Sequence, residues 1–125
     1  MKHTLIAIAL MAAGVPALAH HSFDAEFDSN KLANIAGFVT KVDWQNPHAF
    51  IFMNVKDESG ATKNIRVELG PPYALIRGGW KKDTVKIGDK VTVEGAALAK
   101  DGTSSAGSMP TTMMVLASGQ KLVMR

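Results

Sequence analysis

Three histidines, His20, His21 and His48, are the side chains in this sequence best suited to hold a transition metal. Their chemistry depends on where the working chain begins. Lys2 gives a short positive start, and Leu5 to Ala13 is an uncharged apolar run. That run is far shorter than the ~20 residues a membrane-spanning helix needs. Gly14 and Pro16 interrupt it, and Ala17 and Ala19 supply the small-x-small pattern of a signal-peptidase site. The segment 1–19 therefore reads as a secretory signal peptide, with cleavage after Ala19 and a periplasmic or secreted product. His20 then becomes the first residue. Its α-amine and ring Nδ1 close a six-membered chelate, and a second imidazole completes the T-shaped nitrogen set that Cu(II) favours. His48 is the better second ligand. His21 is adjacent to His20, and neighbouring side chains often diverge. Asp24, Glu26 and Asp28 are available as oxygen donors.

Each of these residues also has a plain structural use. Two histidines can follow a cleavage site because the peptidase tolerates them. Ser22 can cap a first turn whose carboxylates face the positive helix end. His48 can hydrogen-bond its own loop. Met109, Met113 and Met114 fit irregular core gaps better than a Cu(I) site.

Composition narrows the remaining classes. The chain carries a formal net charge of +3, one unit of it from Lys2. Lys81 and Lys82 form the single adjacent basic pair, so nothing calls for nucleic acid. There is no cysteine. Thiol catalysis, Cys-ligated zinc and c-type haem attachment are thereby excluded, and the fold must rest on its core alone. No second apolar run reaches membrane length. No nucleophile elbow, H-E-x-x-H or phosphate loop is present, so the expected product is a non-enzymatic binding module.

The elements that position these residues have period two. Residues 32–44 form a strand with Gly37 at a bend, and 45–47 (QNP) form a turn. Residues 48–56 form a second strand. A hairpin loop at 57–61 leads to a third strand at 62–69, where Ile65, Val67 and Leu69 oppose Asn64, Arg66 and Glu68. Pro71 and Pro72 then open a short helix that stops at Gly78. Further strands follow around Val91–Gly95 and in the two stretches flanking Gly119, while 100–110 is loop by composition. Three strands, a helix and two or more strands is the order of an OB-fold-like Greek-key barrel. A β-sandwich with one helix is the runner-up. The domain plan is a signal peptide (1–19), an N-terminal arm (20–31) and a barrel (32–125).

Together, "HHSF", "GFVTKVDWQNPHAFIFMNVKD", "ELGPPYALIRGGW" and "IGDKVTVEG" resemble a family of small exported bacterial proteins catalogued only as a domain of unknown function. The most specific pieces are Trp44, Asn46, Pro47 and His48 in W-x-N-P-H, and Arg77, Gly79 and Trp80 in R-x-G-W. The resemblance implies export and a β-barrel and leaves function to the residues.

On the second strand Ile51, Met53 and Val55 share one face, and Phe50 and Phe52 share the other. If the first set fills the barrel, the phenylalanines stand outside with Arg66. OB-like barrels bind ligands on that face. The favoured alternative covers it with the N-terminal arm, whose Phe23 and Phe27 also need burial, and so brings His20 near His48. Trp44, Asn46, Arg77 and Trp80 either line a pocket with His48 or serve the fold. In the structural version Trp44 closes a barrel end and Arg77 pairs with a carboxylate such as Glu68. The two functional expectations are a copper-binding exported module using His20 and His48, and a metal-free domain. The latter holds a partner protein or small ligand around Phe50, Phe52, Arg66, Arg77 and Trp80.

Overall fold

The computed structural model describes residues 22–125. His20 and His21, and the segment read as a signal peptide, lie outside the described residues.

Residues 22–26 are helical (α1). The strands are β1 (Phe27–Asp43), β2 (Phe50–Lys56), β3 (Thr62–Glu68), β4 (Lys90–Ala99), β5 (Ser105–Gly107), β6 (Met113–Val115) and β7 (Lys121–Val123), with α2 (Pro72–Arg77) between β3 and β4. The strand order is β1-β2-β3-β5-β4-β6-β7, and an added β1–β4 pairing closes the first five strands into a barrel. The expected order of three strands, a helix and two strands is present, and the protein is a small all-β barrel.

Closure depends on β1 serving two neighbours. Its first part, Phe27 to Phe38, pairs with β4, and its last part, Phe38 to Asp43, pairs with β2. The strand turns that corner beside Gly37. A Cβ there would lie 2.1 Å from the Asn54 carbonyl oxygen, so only glycine lets the two backbones approach. Pairing starts at Phe27 rather than Leu32, so the last five residues of the expected arm, 27–31, belong to β1.

The other expectation the fold corrects is the stretch 100–110. Ser105–Gly107 is β5, parallel to β3 and antiparallel to β4, and it is the strand that shuts the barrel. Its three small residues carry no period, and Ala106 is fully buried. The far edge of β4 is shared, with β5 on its second half and β6 on its first. The β6–β7 hairpin turns at Gly119, whose φ of +87° suits glycine.

The interior follows from strand alternation. Ile35, Val39, Ile51, Met53, Val67, Val91, Val93 and Met114 form one core. α2 begins at Pro72 in its first turn, places Leu75 into that core and stops at Gly78. Trp80 follows, 3% exposed, and its Nε1–H donates to the Val123 carbonyl at 2.7 Å. A second, smaller cluster lies outside the barrel wall: Phe23, Phe27 and Ala97, with Ala99 and Met109 against it. There a Cβ on Gly107 would come 2.6 Å from Phe27 and 2.7 Å from Phe23, so the missing side chain of β5 is the seat of both rings.

Candidate functional site

Register alone lays out the outer face of β1, β2, β3 and β5. Lys41, Phe52, Arg66 and Ser105 stand in one row, and Asp43, Phe50, Glu68 and Gly107 in the next. Cross-strand neighbours in such rows touch. The Lys41 ammonium sits 5.1 Å from the Phe52 ring centre and 3.3 Å from Asp43. The Arg66 guanidinium lies 4.3 Å from the Phe50 ring centre, a cation–π stack. Both phenylalanines are half-buried under these cations. This corrects the expected cover: Phe23 and Phe27 pack on Ala97 and Gly107, over β4 and β5, and leave Phe50 and Phe52 to Arg66 and Lys41.

The α1 end does reach the same rows through charge. Glu26 lies 3.8 Å from Arg66, and Glu68 lies 3.9 Å from it on the other side. Those separations make ion pairs, too long for hydrogen bonds. Among the described residues, the Arg66 guanidinium donates no hydrogen bond. Beside it, the Ser105 hydroxyl is buried with no partner among the described residues.

Glu68 is the buried centre of the group, 8% exposed. Its Oε1 lies 2.9 Å from His48 Nδ1. One proton fills that contact, whether the imidazole or the carboxyl carries it. Its backbone carbonyl accepts from Ser108 N (3.0 Å) and Ser108 Oγ (2.5 Å). Burial pushes the Glu68 carboxyl above the ordinary glutamate range, and Glu26 adds to this, while His48, Arg66 and Arg125 pull the other way. Arg125 closes the far side: it stacks 4.8 Å from the Phe23 ring centre and donates to the Ser108 carbonyl at 3.0 Å.

The remaining expected site residues divide clearly. Trp44 is partly buried against the main core, and Asn46 is exposed beside a cis bond to Pro47. Trp80 is inside the core, so its ring offers no ligand surface. Arg77 is exposed on α2, 5.7 Å from the Tyr73 ring centre, and Glu68 takes its cation from Arg66 instead. The structure thus brings together His48, Phe50 and Arg66, with Phe52 in the neighbouring register. Sequence reasoning gave Glu68 to Arg77 and missed its actual partners, His48 and Arg66, and it missed Arg125 altogether. Glu68 alternates outward on β3, and an acid on an outward strand position carries no sign that a neighbouring segment will bury it.

The hairpin acid Asp57 proves structural. Its Oδ1 accepts from Ser59 N, Ser59 Oγ and Ala61 N, and the Ser59 hydrogen bond lowers its pKa. Met114 is core, and Met109 packs against the smaller cluster. Among the described residues no three His, Cys, Asp or Glu side chains are grouped to hold a metal ion.

These features define a small β-barrel with one outward face where stacked cations, half-buried aromatics and a buried acid–histidine pair converge. The chain belongs to a family described as "Family of unknown function (DUF6152)", matched over residues 8–108. Both W-x-N-P-H and R-x-G-W fall inside that range, and the β6–β7 hairpin falls beyond it. No curated protein and no solved structure matches the chain.

Proposed function

We propose that the protein is an exported, non-enzymatic binding module and that its ligand face is the outer surface of β2 and β3. One observation carries this reading: the Arg66 guanidinium lies 4.3 Å from the Phe50 ring centre yet spends none of its hydrogen-bond donors on the described protein. A guanidinium so placed is ready for a planar, bidentate acceptor. Phe50 and Phe52 beside it offer apolar ring faces, and His48 offers a further polar contact. The ligand class is a carboxylate carried next to a flat ring or sugar face, on a small molecule or on a partner protein. The test uses the full exported chain and glucuronate, with glucose as the uncharged control, followed by amide chemical shifts. Shifts from glucuronate are expected on β2 and β3, with affinity falling about tenfold in Arg66→Met. No shifts on these strands, or equal ones from glucose, would sink it.

A second reading is a copper site in which the amine and ring of His20 are joined by His48. The contact between His48 Nδ1 and Glu68 favours it. Metal-binding imidazoles usually give one nitrogen to a carboxylate and the other to the metal, and His48 has Nε2 left. The mass of the exported form establishes where it begins. Cu(II) titration of that form, against one with an extra residue ahead of His20, separates the readings. Tight binding lost on extension supports copper; equal, weak binding by both removes it.

A further inference from the structure

Where β1 passes from β4 to β2, the two partner strands diverge and leave a groove of about 410 Å³. Volumes of that order belong to small-ligand clefts. Phe38 stands at the corner, in register with Asn54 of β2 on one side and Lys90 of β4 on the other. The residue is 54% exposed, although the inward neighbour Val39 is buried. A single exposed phenylalanine on a convex surface is ordinary. This one lines a concavity together with Gly37, where the β1 and β2 backbones approach too closely for a Cβ.

The rim carries charge of one sign. Lys56, at the end of β2, and Lys90, at the start of β4, both line the groove. Among the described residues, neither has a carboxylate within ion-pair distance. No acidic residue lines the groove. An aromatic ring in a groove also lined by two lysines without ion-pair partners among the described residues complements a molecule with an apolar body and an anionic head.

We infer that this groove binds a small amphiphilic anion, its apolar body on Phe38 and Val55 and its carboxylate or sulfonate against Lys56 and Lys90. The groove shares no lining residue with Arg66, Phe50 or Phe52, although Asn54 and Lys56 continue their outward row along β2, and it stands or falls independently of that site. The volume suits a molecule of two or three fused or linked rings, or a medium alkyl chain, rather than a polymer.

The probe is 1-anilinonaphthalene-8-sulfonate, titrated by fluorescence into the full exported chain, with N-phenyl-1-naphthylamine as the uncharged counterpart. Saturable binding at one site is expected, weakened about tenfold or more by Lys56→Gln with Lys90→Gln. Phe38→Ser is expected to weaken it comparably, and raised salt to weaken the sulfonate but not the amine. Lys82→Gln with Lys86→Gln removes the same charge elsewhere and is expected to leave binding unchanged. All these positions are exposed, and circular dichroism verifies that each variant keeps its fold. Unsaturable binding overturns the inference. So does equal affinity for both probes, or an affinity that ignores the groove substitutions.

Discussion

Trp80 and His48 come from the two most distinctive stretches of this chain, and the barrel treats them in opposite ways. The R-x-G-W segment turns inward. Gly79 takes a φ of +102°, and Trp80 enters the core beside Leu75 with its indole N–H satisfied by Val123. The W-x-N-P-H segment ends at the outer wall. There the His48 side chain keeps 31% of its surface exposed and meets a buried carboxyl. A tryptophan has most to gain from removing apolar area from water. An imidazole gains most where a partner fixes one nitrogen and leaves the other open. Distinctive sequence therefore marks packing in one case and candidate chemistry in the other, and burial tells them apart.

The widest test of that contrast is Trp80→Ala. It should cost about 3–5 kcal/mol in urea denaturation, the range for emptying a buried aromatic site. A cost near that of a surface change would show that Trp80 does not belong to the core. Next comes Gly107→Ala, whose methyl would collide with the seated rings of Phe23 and Phe27. Overpacking of this kind costs about 1–3 kcal/mol, and adding Phe23→Leu should recover part of it.

The third test concerns the acid–histidine pair. Burial raises the folded Glu68 pKa, so the fold holds a proton that the unfolded chain has already released. The stability this neutral form contributes is complete below the ordinary glutamate range and is lost as pH climbs through the folded value. The Tm of the natural protein, taken relative to Glu68→Gln, should therefore fall as pH rises above the ordinary glutamate range. A difference that stays flat, or rises, would mean the carboxyl is well solvated or held charged. Smallest is Arg77→Ala. An exposed cation over Tyr73 contributes at most about 1 kcal/mol, so near-normal stability is expected, together with unchanged glucuronate binding. A loss of binding there would restore Arg77 to the ligand face.

How far the sequence could be read depended on the length of each pattern. β2 is seven residues long, and its alternation placed Ile51 and Met53 inside and Phe50 and Phe52 outside. β5 is three residues of Ser, Ala and Gly. No period exists in so short a run, and its residues are small because two phenylalanines and two neighbouring strands crowd it. The site divided in the same way. Phe50, Arg66 and His48 were legible as outward residues of the right chemistry. The partners of Glu68, and Arg125 altogether, were not, because those contacts join different segments.

The sequence alone determined the all-β class, the inward and outward sets on β2 and β3, and the helix between Pro72 and Gly78. Those follow from local periods and from the backbone limits of proline and glycine. Tertiary structure alone decided that Ser105–Gly107 closes the barrel, that Phe23 and Phe27 cover β4 and β5 rather than β2, and that Arg66 rather than Arg77 serves Glu68. These are contacts between residues far apart in the chain. Their energies come from which surfaces the closed barrel leaves adjacent, and no short-range pattern carries that information.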